Sequence, residues 1–285
     1  MSKRQIRIAT KNDIQELKHI WYDAFLEHDG KESIDYYFEH SLDLDHTFIL
    51  EEDKDIKSIL SLNQHVLNFD GVDTPVSFVV GVATPKQYQR QGYMKELLEY
   101  AIDYAKNTLN QKIMILQAYD WAIYRPFGFV DTYYKSKFTL DHNFFVTYEV
   151  KELDAITSDK LLDIYNNYTK DLNGYKVRDK AYFDNMIEAN KANMLHYAIY
   201  QDSYILFTTK FAKVTILEAA FIDVSELFTL INTVKVKCWI LDVELSSDIY
   251  NFDYYRFTKE LYMMTLKLDE SFEIKNEKLY ISEVE

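Results

Sequence analysis

A single cysteine, Cys238, occurs in 285 residues. That excludes an internal disulfide and a cysteine-rich zinc site. Its neighbours Val236, Trp239 and Ile240 mark it as a small buried strand residue rather than a nucleophile. No apolar run approaches the roughly 18 residues that a spanning helix needs, and Met1-Ser2-Lys3-Arg4-Gln5 leads into no apolar segment. Neither a membrane span nor a signal peptide is expected, and the reading is cytoplasmic. Positive charge is also in short supply. A net charge of −14 speaks against nucleic acid and against anionic membranes, since both are held through clustered Lys and Arg. It would attract a cationic partner, although acidity also serves solubility. Metal-ligand spacings, Walker loops and dinucleotide fingerprints are absent, so no metal is expected.

Glycine and proline are scarce as well, six and three in the whole chain. Such residues are used where backbone geometry demands them. Gly81, Pro85 and Gly92 fall within twelve residues, and Pro126 and Gly128 stand together further on. What the chain does have is apolar bulk: 48% hydrophobic and 16% aromatic residues, ample for a packed core.

The pattern is α/β (α+β). Thr10 to Asp13 reads as a helix start, followed by Ile14, Leu17, Trp21, Ala24 and Phe25 at helical spacing. A short helix is expected over Ser33–Glu39, then antiparallel strands over His46–Glu51, Ile56–Phe69 and Pro75–Thr84, with a turn at Asp70-Gly71. Met94, Leu97, Leu98, Ala101, Ile102 and Ala105 give a strong amphipathic helix over Arg90–Leu109. Strands over Lys112–Ala118 and Phe129–Leu140 follow. The second half repeats the order: helices over Ser158–Asp171 and Asp179–Asn190, with a turn at Asn173-Gly174 between them. Next come strands over Met194–Gln201, Tyr204–Thr209 and Val214–Phe221, a helix over Val224–Thr233, and strands over Lys235–Glu244 and Leu261–Leu268. The boundary between the halves lies near 141–157.

The chemistry concentrates around the glycines. Phe78-Val79-Val80-Gly81-Val82-Ala83-Thr84 is a strand with a glycine inside it, which calls for a bulge or for close approach of another group. After Pro85–Gln89 a helix opens at Arg90-Gln91-Gly92-Tyr93. A helix start offers free amides and a positive dipole end, suited to a pyrophosphate. Gly92 removes the side chain that would keep a phosphate away.

Strand, loop, Gln89-x-x-Gly92-x-Met94 and amphipathic helix together resemble the acetyl-CoA motif of the GNAT superfamily, with Met94 where Gly or Ala is usual. Ala118-Tyr119-Asp120-Trp121-Ala122-Ile123-Tyr124-Arg125-Pro126-Phe127-Gly128-Phe129 begins 26 residues after Gly92 and resembles the tyrosine and Phe-Gly-Phe passage after the fifth GNAT strand. The Ala-x-acid-x-x-Ile-Tyr form, with Gly-Tyr-Met opening the helix, is similar to the enhanced-intracellular-survival acetyltransferases and their shorter bacterial relatives. Those are built from two GNAT-like lobes in tandem. Leu162-Asp163-Ile164-Tyr165, Asn173-Gly174 and Arg178 resemble the opening of their second lobe.

The resemblance implies two lobes, each a mixed, mostly antiparallel sheet flanked by helices. Residues 1–145 would be the catalytic lobe, and 146–285 a degenerate lobe without a phosphate loop. Acetyl-CoA is the implied co-substrate: the backbone of Val82 and Thr84 would hold the pantetheine arm, and Gln89, Arg90, Gln91, Gly92, Tyr93 and Met94 the pyrophosphate. Arg90 either reaches the adenosine 3′-phosphate or is simply exposed. Tyr124 is the implied general acid for the departing thiolate, since a tyrosine of pKa about 10 is protonated at neutral pH. Asp120 either accepts the ammonium proton or caps the turn that begins at Trp121. Trp21, Asp23 and Glu27 either line the acceptor pocket or form a charged face with one core aromatic. His65 faces the site or is a structural strand residue. Larger members carry a third, sterol-carrier-like domain whose terminal carboxylate serves as base; this sequence is too short to hold it, which leaves the proton acceptor open.

The expected function is acetyl transfer from acetyl-CoA to a small primary amine by direct attack in a ternary complex. The alternatives are an idle acyl-CoA binder with the fold kept and the base lost, and a partner-binding protein using its aromatic-rich second half. The second lobe is expected to close the acceptor cleft without binding CoA. Its sheet edges would suit a homo-oligomer.

Overall fold

The computed structural model describes residues 4–141, 151–192, 195–210, 213–235, 240–245, 258–275 and 277–282. Cys238 and the residue-145 boundary lie outside them. The first half runs β1 (Arg4–Ile8), α1 (Ile14–Asp29), α2 (Lys31–Tyr36), β2 (Thr47–Glu52), β3 (Asp55–Phe69), β4 (Val72–Ala83), α3 (Tyr93–Asp103), β5 (Ile113–Leu116) and β6 (Val130–Asp141). The second runs α4 (Ser158–Thr169), β7 (Tyr175–Lys176), α5 (Lys180–Ala192), β8 (Leu195–Tyr200), β9 (Ser203–Lys210), β10 (Lys213–Ala220), α6 (Val224–Val234), β11 (Ile240–Leu245) and β12 (Thr258–Lys267). Among the described residues no helix is long and apolar enough to cross a membrane.

Local chemistry explains the principal boundaries. The Thr10 amide donates to the Asp13 carboxylate at 2.7 Å, and Arg7 holds that carboxylate with two bonds of 2.8 Å. The turn before α1 is thereby capped and tied to β1. Asp70 and Gly71 both have positive φ, 53° and 80°, the pairing that a tight hairpin between twisted strands requires. In β2 alternate residues face opposite layers: Phe48 and Leu50 pack with Leu97, Leu98 and Ala101 of α3, while Ile49 packs with Leu17, Ile20 and Trp21 of α1. The second half has its own core, with Leu161 and Tyr165 of α4, Phe183 of α5 and Leu227 and Ile231 of α6 on β8–β10.

The sheets of the two lobes merge into one. The twelve-stranded sheet has the order β1-β2-β3-β4-β5-β12-β6-β11-β10-β9-β8, with β7 pairing on β3. Parallel pairing occurs among the described strands at β4–β5 and β10–β11, the same place in each half. The halves also exchange material. β12, near the C-terminal end, lies between β5 and β6 of the first half, and β6 pairs antiparallel with β11 of the second.

A C-terminal strap completes the join. Asn173 donates its amide to Lys278 O and accepts from the Tyr280 amide, both at 3.0 Å. Arg178, fully buried, forks onto Glu218 at 2.7 and 3.0 Å and also donates to Ser282 O. Burial alone would raise the Glu218 carboxyl, but the charge and hydrogen bonds of Arg178 and the Tyr204 hydroxyl outweigh it and hold it below its ordinary value.

Candidate active site

β4 and β5 pair in parallel over three positions, ending at Val79–Leu116. Beyond that point β4 continues to Ala83 while β5 stops, so the two diverge into a V. The divergence is helped by a bulge. Val80 and Ala83 of β4 pair with Ser61 and Ile59 of β3, which leaves Gly81 and Val82 opposite Leu60. Gly81 sits at φ +61°, and a Cβ there would fall 2.0 Å from the Trp21 ring. Glycine at this position therefore does two things: it permits the bulge and it lets the indole lie against the strand. Trp21 is in turn stacked on Tyr37, with ring centres 4.5 Å apart, and meets Phe25 and Phe38 edge-on at 5.4 Å.

A cavity of about 330 Å³ occupies the V. Val79–Val82 form one wall, Gln117, Ala118 and Tyr119 the other, with Trp21, Phe25, Asp29, Ser33 and Tyr37 across the top and Tyr124 also in the lining. A second cavity of about 640 Å³ adjoins it, sharing Ser33 and Tyr37. Its lining comes from both halves, including Asn63 and His65 from β3 and Tyr182, Asn185 and Leu217 from the second lobe.

The loop after β4 leads to an open helix start. Gln89 turns its side-chain amide back onto Thr84 O at 3.1 Å, and Gln91 does the same onto Gln87 O at 3.1 Å. Arg90 and Gly92 both take positive φ, 62° and 85°. Space is open where a Gly92 Cβ would stand. Among the described residues the amides of Arg90 to Lys95 meet no acceptor; the first helical bond there is Glu96 N–H to Gly92 O, 3.1 Å. A run of unpaired amides at the positive end of a helix is an anion cradle. The Tyr93 side chain points away from the loop, donating to Glu52 at 2.6 Å, and Met94 packs on the α3 core. Both can serve the loop through their amides alone.

Tyr124 closes a short turn over Trp121–Ile123 and meets Phe129 edge-on at 6.0 Å. Its hydroxyl has no hydrogen-bond partner among the described residues. Burial, with the nearby Asp120 charge, pushes its pKa up to about 12, so the proton stays on at neutral pH. Asp120 itself accepts from the Ala122 amide at 3.0 Å, the capping role.

Residues 5–130 match the model of the acetyltransferase (GNAT) domain. They are a GNAT domain. No functionally curated protein matches the chain. Among solved structures it is similar to a probable N-acyltransferase from Enterococcus faecalis (15% identity, TM-score 0.78, covering 94% of this chain and 73% of that one). It is also similar to Eis1 from Mycobacterium abscessus (11%, 0.72, 93% and 74%). A putative acetyltransferase from Pyrococcus horikoshii matches over nearly the full length of both chains (16%, 0.60, 98% and 94%). At these identities the likeness is one of fold.

Within the GNAT domain the structure separates the three residues singled out on the first helix. Trp21 lines the cavity, but Asp23 and Glu27 do not. Asp23 is exposed beside His19. With 3.6 residues per turn, the face that Trp21 presents is continued by Phe25 and Asp29, four and eight residues on, while positions 23 and 27 lie roughly on the opposite side. His65 lines the second cavity, 5.7 Å from the Phe78 ring. Sequence reading missed Phe25, Asp29, Tyr37 and Tyr119; the first two were accessible from that helical spacing.

The second lobe has the same parallel pair and a bulge at Leu217, between Ile216 and Glu218 of β10. Its helix start differs from that of the GNAT domain. The Asp223 carboxylate caps α6 by accepting from the Ser225 amide at 2.7 Å, which fills the cradle with a negative charge.

Proposed function

We propose that the protein transfers an acetyl group from acetyl-CoA to a primary amine by direct attack within a ternary complex. The observation that carries this reading is the V between β4 and β5, bounded at one end by the open amides of Arg90–Met94 and lined beside them by Tyr124. Pyrophosphate would sit on those amides, and pantetheine would run along the unpaired side of Val82 and Thr84. The thioester would then reach the cavity beside Tyr124.

Attack by the amine makes a C–N bond and expels the CoA thiolate, which needs a proton to leave cleanly. Tyr124, which lines the cavity and keeps its proton at neutral pH, would supply it. The larger cavity is the space for the rest of the acceptor, which gives the second lobe a part in shaping the acceptor pocket. The open start of α3 against the capped start of α6 supports assigning catalysis to residues 1–145 and a non-CoA-binding role to 146–285.

The test is free-thiol release from acetyl-CoA over a panel of amines, with the parent and Tyr124→Phe. Amine-dependent turnover should appear in the parent and fall about 10²-fold or more in kcat in the variant, with the KM for acetyl-CoA little changed. Below a pKa of about 12 tyrosine is the donor form, so kcat should stay level through pH 10. A fall with an apparent pKa near 9 would remove Tyr124 from the role. Binding of acetyl-CoA without turnover on any amine would favour an idle acyl-CoA binder.

A further inference from the structure

We propose that Asp29 is a catalytic residue of this site: it binds the acceptor's ammonium group at the cavity mouth and takes up one of its protons before the C–N bond forms. The inference rests on the acetyl-transfer reading and supplies its missing proton acceptor.

Four observations converge on it. Asp29 is the one carboxylate among the described residues that line the cavity of the V. Asp120 is not among those residues and is engaged by the Ala122 amide. Second, Asp29 is the last residue of α1, two turns beyond Trp21 on the face that looks into the cavity. Gly30, at φ +78°, ends the helix immediately after it. The negative end of a sixteen-residue helix therefore adds to the carboxylate's own charge.

Third, Asp29 is held from the opposite wall. The Tyr119 hydroxyl donates to its Oδ1, and the Tyr119 ring stacks on His28 with centres 4.4 Å apart. Burial, then the hydrogen bond to Asp29, raises the Tyr119 pKa, so this donor keeps its proton. Fourth, no Lys, Arg or His among the described residues pairs with Asp29. A cavity carboxylate fixed by a neutral donor and lacking a cation is a receptor for one.

The protons balance as follows. An alkylammonium has no lone pair and must lose one proton before nitrogen can bond to the thioester carbon; a second leaves as the tetrahedral adduct collapses and the C–S bond breaks. The first passes to Asp29 and on to solvent. The second replaces the proton that Tyr124 gives to sulfur. The sum is amide, CoA thiol and one proton released.

The experiment compares kcat/KM at pH 7.5 for two acceptors, an alkylamine, protonated at that pH, and an arylamine, already neutral. Asp29→Asn should cut the alkylamine value at least tenfold and leave the arylamine value within about threefold. The alkylamine rate of the variant should climb towards the parent's as pH rises from 8 to 10, and Asp29→Glu should recover part of the loss. An equal loss on both acceptors, or none on either, overturns the assignment. Tyr119→Phe makes the same comparison with the carboxylate intact: a smaller loss, again confined to the alkylamine, is expected, and an equal loss on both counts against the proposal. A parent that turns over no amine sinks the acetyl-transfer reading itself, an outcome distinct from a working parent indifferent to Asp29.

Discussion

Gly81 shows how much one missing side chain can organise. Its positive φ opens the bulge, and its bare Cα lets Trp21 lie flat against β4. Gly81→Ala should cost about 2–5 kcal/mol, the sum of a left-handed backbone penalty of about 1–2 and overpacking of about 1–3 kcal/mol. Urea unfolding would read it, with acetyl-CoA affinity falling in step because the same shift moves the cavity wall. Unchanged stability would mean that Trp21 relaxes elsewhere and that its stack on Tyr37 is not what fixes it. At this scale the sequence was partly legible. The scarcity of glycine pointed to Gly81 and Gly92, and the motif spacing to Tyr124. The capping of Asp120 against its catalytic use stood open, since both ask for the same residue after a strand. Asp29 and Tyr119 come together from residues ninety apart, and nothing local announces the meeting.

At the scale of elements, α3 and α6 are the instructive pair. Both follow a strand that diverges from a parallel neighbour, yet one starts at an open Gly92 and the other at a capping Asp223. Gly92→Asp should transplant the second condition onto the first. Acetyl-CoA binding, measured by calorimetry, should weaken at least tenfold, about 1.4 kcal/mol, from a carboxylate set among the amides. Stability should fall by about 1–2 kcal/mol for the left-handed backbone at φ +85°. Retained affinity would place the pyrophosphate elsewhere. Long periodic elements such as α1 and α3 were readable from spacing, as was the hairpin at Asp70-Gly71. β1 was not: in five residues Ile6 and Ile8 alternate with Gln5 and Arg7, too short a pattern to separate from a polar terminus. β7, two residues long, exists only because β3 offers it an edge.

At the scale of the whole molecule, strand order was the part beyond reach of sequence. Element order repeats along the chain, and that much was visible. The seating of β12 between β5 and β6 is a pairing over about 150 residues, such as Met264 with Leu116, decided by which edge is left open and not by anything local. A fragment of residues 1–145 therefore lacks the strand that joins its own β5 and β6. It should be largely aggregated or molten, with weak near-ultraviolet dichroism and early elution in gel filtration, and should not bind acetyl-CoA. A well-folded monomeric fragment would show that β5 and β6 can close up without β12.

The same seating sets an order in time. β5 forms one limb of the V, and its partner at Lys267 is made 151 residues after Leu116. At about 5–20 residues per second a ribosome needs on the order of 8–30 s for that interval. Throughout it, the first lobe waits with an unpaired edge, so the V is finished last although the loop that opens at Gly92 is translated early. A chaperone that shields strand edges would do more for the yield of this protein than one that waits for the completed chain.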